Sequence, residues 1–129
     1  TLSSYVGLAG PYDFFLPASK DKDYRDVFVK NGVHYNESSS LPANKLPNNN
    51  LHTAVSRTLF LHGEADDIVN PKNAKNISSL VETSGVPSAY KMYPDTGHVA
   101  LVSSLSDLPF LRSQVSKDVL RFLMGAKVE

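Results

Sequence analysis

Apolar positions in this chain fall into short continuous runs and longer spaced stripes. Thr58 to His62 (TLFLH) is a compact apolar run and predicts a buried strand. Tyr5 to Ala9 (YVGLA) predicts a shorter strand, closed by the turn signal Gly10-Pro11. Ser88 to Tyr93 predicts a third strand, followed by a Pro94-Asp95-Thr96-Gly97 turn. Ala74, Ile77, Leu80 and Val81 recur instead at helical spacing. Pro71 suits the first position of that helix, with Asn70 before it as N-cap. Gly85 supplies a left-handed stop and Pro87 forbids continuation. Leu111, Val115, Val119, Phe122 and Leu123 mark a last amphipathic helix, expected to start near Pro109.

Residues 17–56 break the pattern. They contain Ser38-Ser39-Ser40, Asn48-Asn49-Asn50 and a single compact apolar cluster at Val27, Phe28 and Val29. They read as a loop-rich insertion with one short helix near Asp23 to Val29, and loops that long in a compact domain are functional or disordered. The order is therefore strand, insertion, strand, helix, strand, helix. Alternation of this kind implies an α/β fold with a mainly parallel sheet flanked by helices.

Composition narrows the function classes. The 129 residues are one domain's worth, 41% hydrophobic and 20% charged. No apolar run approaches the roughly 18 residues of a membrane span. Thirteen basic residues balance 13 acidic ones, so no net field favours nucleic acid or an anionic membrane. The absence of cysteine excludes a disulfide scaffold, a thiolate nucleophile and a Cys-based zinc site within this chain. Thr1-Leu2-Ser3-Ser4 lacks a start methionine, a basic n-region and a long apolar segment, so it is not read as a signal peptide. The chain is expected to be an excerpt of a longer protein.

Two polar residues stand where chemistry is expected. In an open parallel sheet the working residues lie beyond the carboxyl ends of the strands. Asp66 and His98 both fall there, each a few residues past its strand. A carboxylate held at one strand tip fixes the tautomer of an imidazole beside it and stabilises the imidazolium formed in proton transfer. Gly63 is expected to let the chain turn sharply after His62, and Gly97 to allow close approach before His98. Asp67 adjoins Asp66, but the Asp-x-x-Val spacing to Val69 favours Asp66. No G-x-S-x-G nucleophile elbow occurs in the chain.

Other polar residues have plainer readings. His62 is expected to pack or hydrogen-bond locally at its strand end. His34 and His52 lie in the insertion, where zinc binding is a weak alternative, and no metal or organic cofactor is expected. Tyr12 and Asp13 are either pocket-lining or turn residues, and the aromatic cluster Tyr12, Phe14 and Phe15 lines either a pocket or the core. Asn36-Glu37-Ser38 and Asn76-Ile77-Ser78 match the glycosylation sequon.

His62-Gly63-x-x-Asp66-x-x-Val69, then a helix, a strand and Tyr93-Pro94-x-x-Gly97-His98, resembles the C-terminal half of an α/β-hydrolase. The branch it looks most like is that of carboxylesterases and lipase-like enzymes. Val6-Gly7-Leu8-Ala9-Gly10-Pro11-Tyr12-Asp13-Phe14 resembles the strand and turn that follow the nucleophile region there. The resemblance implies that residues 1–129 are the C-terminal portion of one α/β-hydrolase domain, with 17–56 as a cap-like insertion. It makes Asp66 the triad acid and His98 the general base. The nucleophilic serine and the glycine-rich oxyanion loop would lie upstream of Thr1, in an N-terminal half that is the chain's implied partner. Asn70 departs from the proline often found there, although Pro71 follows.

The implied activity is hydrolysis of a small carboxylic ester by a Ser-His-Asp triad. Two alternatives stay open: a non-catalytic binding protein on a degenerate hydrolase fold, and the same acid and base serving an amidase, formamidase or peptidase. The chain alone is expected to be inactive, because the nucleophile lies outside it.

Overall fold

Leu59, Phe60 and Leu61 are apolar in succession, so the strand that carries them has no face to offer solvent. The computed structural model describes residues 3–12, 55–107 and 112–127. Within them, β1 (Tyr5–Leu8), β2 (Thr58–Gly63) and β3 (Ser88–Tyr93) form a three-stranded sheet in the order β1-β2-β3. Both pairings are parallel, with Tyr5 in register with Thr58 and Thr58 with Ser88. The central strand β2 is buried at every position, as a run without alternation requires.

Helix α1 (Lys72–Thr83) links β2 to β3, and α2 (His98–Ser103), a 3₁₀ turn (Ser104–Asp107) and α3 (Gln114–Leu123) follow. Alternation along β2 divides the core in two. Phe60 packs with Ala74, Ile77 and Val81 of α1. Leu59 and Leu61 pack with Val115, Val119 and Phe122 of α3 on the other face. The architecture is the expected one, a parallel sheet flanked by helices.

The ends of α1 follow the sequence signals. Pro71 already has helical angles, φ −58° and ψ −24°, and Asn70 Oδ1 accepts from Lys72 N at 3.0 Å, satisfying a donor the helix leaves open. Gly85 sits at φ +87°, and Gly85 N and Val86 N return to the carbonyls of Glu82 and Val81. The other two helices differ from expectation. α3 begins at Gln114 rather than near Pro109, because Ser113 caps it: its Oγ accepts from Ser116 N at 3.0 Å. His98, expected in a turn, is instead the first residue of α2.

The residue that anchors α3 to the sheet is Asp118, buried on the helix face turned toward β3. Its Oδ2 accepts from Tyr93 Oη and Lys91 Nζ, both at 2.8 Å, and its Oδ1 from Gln114 Nε2 at 2.9 Å. Burial pushes the carboxyl up, but the hydrogen bonds of Lys91, Tyr93 and Gln114 outweigh it and hold Asp118 below the usual carboxylate range. Burial and Asp118 together push the Tyr93 hydroxyl up, so it remains a donor. A folded-state pKa below the unfolded one gives stability that is present above about pH 4 and lost as pH falls through the folded value. Asp118→Ala is therefore expected to lower stability by about 1.5–3 kcal/mol near neutrality and to flatten the acid limb of melting temperature against pH. Circular-dichroism melts of both proteins check this, and an unchanged acid limb would show that Asp118 does not carry it.

At the opposite edge, Arg57 Nε donates to Ser4 Oγ at 2.9 Å and its guanidinium stacks 4.6 Å over the Phe122 ring, tying the entry of β1 to α3. No helix among the described residues is long and apolar enough to cross a membrane. The sequon asparagine Asn76 stands within α1, and Ser78 is buried against Ser88 Oγ at 2.9 Å, not in a surface loop. The expected insertion, apart from Val55 and Ser56, lies outside the described residues, as do its short helix, Asp13, Phe14, Phe15, His34, His52 and the Asn36 sequon.

Candidate active site

Parallel strands bring their carboxyl ends to one edge, so the segments after β2 and β3 emerge side by side. Backbone hydrogen bonds close them against each other: Glu64 N donates to Tyr93 O at 2.9 Å and Ala65 N to Thr96 O at 3.1 Å. Gly63 makes that approach possible. A Cβ at this position would overlap the Thr96 carbonyl. Gly97 does not carry the role expected of it: a Cβ there would meet only Ala65 O at 3.8 Å, an ordinary contact. Nor is Gly63 a left-handed turn residue, since among the described residues the glycines with positive φ are Gly85 and Gly125. What Gly63 provides is space.

The apposition brings the two predicted residues together. His98 Nδ1 lies 2.8 Å from Asp66 Oδ2, inside the range of a charge-assisted hydrogen bond. It is the Asp66 carboxylate that makes this contact, as the Asp-x-x-Val spacing indicates. Asp66 is 3% exposed, and its Oδ1 accepts from Ile68 N at 2.9 Å and Val69 N at 2.8 Å. Those two bonds fold the segment after β2 around its own carboxylate and give the spacing a physical cause. A hydrophobic side chain at position 66 would leave both amides open.

His98 enters through Gly97, whose extended backbone (φ −85°, ψ 174°) caps α2. Its side chain stays 26% exposed while the carboxylate behind it is buried. An imidazole placed this way has one nitrogen committed to the acid and a surface open for proton exchange.

A third side chain joins them. His62 Nε2 lies 3.0 Å from Asp66 Oδ2 and 3.1 Å from Val69 O. Its local hydrogen bonding at the strand end was expected; its contact with the acid was not. The readable signal was its position four residues before Asp66 and seven before Val69, within one motif.

Tyr12 is not part of this group. Its ring packs edge-on against Phe60 at 5.2 Å, and burial, with Tyr5 nearby, pushes its hydroxyl well above the ordinary range. No group of three His, Cys, Asp or Glu side chains among the described residues is arranged to hold a metal ion. A cavity of about 320 Å³ opens where β2 and β3 begin, lined by Arg57, Ser88, Ala89 and Phe122, at the far edge from Asp66 and His98.

The model of the prolyl oligopeptidase family matches residues 17–123. That is a serine-peptidase family of the α/β-hydrolase superfamily, and not specifically the carboxylesterase and lipase-like branch that the motifs resemble. No curated protein and no solved structure matches the chain.

Proposed function

The chain belongs to the prolyl oligopeptidase family, and we propose that it supplies the acid and the base of a serine peptidase whose nucleophile lies elsewhere in the protein. One observation carries this reading. A buried carboxylate stands 2.8 Å from the Nδ1 of a histidine whose ring remains partly open.

In the proposed reaction a serine oxygen attacks the carbonyl carbon of a peptide bond. His98 Nε2 takes the serine proton and then delivers it to the departing amine. Asp66 holds the Nδ1–H in place and balances the transient imidazolium. Backbone amides outside this chain receive the oxyanion. Water repeats the sequence on the acyl-enzyme, and the scheme uses no metal or organic cofactor. Residues 1–129 act as the C-terminal part of one α/β-hydrolase domain, with 17–56 as a cap-like insertion that shapes access. The family match favours an amide over an ester substrate. A leaving amine also needs protonation by an oriented acid more than a leaving alcohol does, which suits His98. The second reading, ester cleavage, rests on the motif resemblance to carboxylesterases.

The test uses the complete protein, or residues 1–129 together with the N-terminal half. It compares short peptides, with and without proline before the scissile bond, against short-chain acyl aryl esters. Peptide hydrolysis with weak turnover of the acyl esters is expected, and residues 1–129 alone should be silent. Rapid cleavage of acyl esters without peptide cleavage would replace this reading by the esterase one. Inertness toward both would leave a binding protein on a hydrolase fold.

A further inference from the structure

Alternation along β2 points His62 to the α1 face, the same side as Phe60, where it is completely buried. Its Nε2 stands between two acceptors, Val69 O at 3.1 Å and Asp66 Oδ2 at 3.0 Å. A ring nitrogen facing a carbonyl and a carboxylate must carry the proton, so the network assigns the Nε2–H tautomer. Nδ1 is then left as a buried acceptor without a partner among the described residues. Burial pushes this ring below the ordinary histidine range against the opposing pull of Asp66, so it stays neutral near pH 7.

An unpartnered buried acceptor costs stability, and an apolar side chain filling the same space would avoid that cost. What an apolar side chain would not supply is the N–H. The Asp66 carboxylate receives Ile68 N and Val69 N on Oδ1, and His98 and His62 on Oδ2. Its roughly four lone-pair directions are therefore all used. The two amides fix one oxygen. His62 reaches the other, and through Val69 O it also ties the far end of the Asp66 segment to β2.

We propose that His62 is a positioning residue for the Asp66–His98 pair: its one N–H, shared between Asp66 Oδ2 and Val69 O, fixes the carboxylate oxygen that meets His98. The inference rests on the catalytic reading above. His62 touches no reacting atom and transfers no proton. It acts by holding the acid still.

The experiment compares three variants of the full-length protein. His62→Gln carries an amide N–H to about the place of Nε2, whereas His62→Asn and His62→Leu do not reach it. Each is measured for kcat and KM on one peptide, for melting temperature, and for the low-field proton resonance of His98 Nδ1–H. His62→Leu and His62→Asn are expected to lose about 10- to 100-fold in kcat, the scale of a small displacement of catalytic groups. Their KM should change little, and the resonance should broaden or vanish. His62→Gln should keep the resonance and most of kcat. If His62→Leu keeps both, or if His62→Gln falls to the level of His62→Asn in activity or in folding, packing alone explains His62 and the proposal is overturned. A parent protein with no low-field resonance, or one whose resonance survives His98→Ala, would remove the Asp66–His98 reading itself and this proposal with it. A parent that shows the resonance, with all three variants alike, removes only the role of His62.

Discussion

His98→Ala in the complete protein is expected to cost about 10⁴-fold or more in kcat while leaving the melting temperature nearly unchanged. The two effects separate because of where the residue stands. The His98 side chain is 26% exposed, and α2 buries only Leu101. Truncation therefore removes the proposed base without opening the core. Asp66→Asn should be nearly as damaging to kcat and should also destabilise the fold. An asparagine oxygen still accepts from Ile68 N and Val69 N, but its NH₂ would then face Nδ1 of His98 and Nε2 of His62, both donors to Oδ2. One histidine must change tautomer or lose its partner, at about 1–3 kcal/mol for a buried group left unsatisfied. Steady-state kinetics on a peptide substrate, paired with thermal melts, read both effects. A His98→Ala protein with parental turnover would reject the mechanism outright. An Asp66→Asn protein with parental turnover would leave His98 working without its acid.

The parts of the fold legible in the sequence are those where a local signal and its tertiary consequence agree. The apolar succession Leu59, Phe60, Leu61 admits only a strand buried on both faces, and β2 is the middle strand. Asn70-Pro71 and Gly85 bound α1 by backbone chemistry that needs no neighbour. α2 carried no such signal. It has one turn and a half, one buried residue, and two exposed valines, Val99 and Val102, so no apolar stripe marks it. The start of α3 was placed too early because apolar spacing was followed back to Leu111, while the decisive feature was the hydroxyl of Ser113 on Ser116 N.

The meeting of Asp66 and His98 was readable because loops after parallel strands must meet at one edge. The contact of His62 with Asp66 crosses from a strand end to a loop and follows no helical or strand period, so its only sequence signal is the spacing of four residues within one motif. The branch of the superfamily was also beyond the two motifs. Peptidases and esterases need the same carboxylate and imidazole, and what separates them lies in the surfaces that hold substrate. The space at Gly63 was misjudged in kind: a glycine after a strand suggests a turn, and only the neighbouring loop shows that it answers a close approach.

That close approach gives the largest effect expected from a single methyl group. In Gly63→Ala the new Cβ would overlap the carbonyl of Thr96, a backbone atom that cannot rotate away. The segment Thr96 to His98 must then move outward from the segment Gly63 to Asp66. The hydrogen bonds from Ala65 N to Thr96 O and from Glu64 N to Tyr93 O lengthen with it. Overpacking of this kind costs about 1–3 kcal/mol, and a shift of about 1 Å between acid and base costs about 100-fold in rate. Activity should therefore fall much further than stability. Gly97→Ala is the matched control. Gly97 lies in the other loop, beside His98, but its φ of −85° suits any residue, and its added Cβ would find the nearest atom at 3.8 Å. It should melt and turn over close to the parent. Kinetics and melts of the two variants decide between the roles, because both add one methyl group within the same pair of loops. Equal losses in the two would mean that both glycines serve the backbone and that separation of the loops is not what the site depends on. A silent Gly97→Ala beside a crippled Gly63→Ala would tie the activity to the distance between the strand ends.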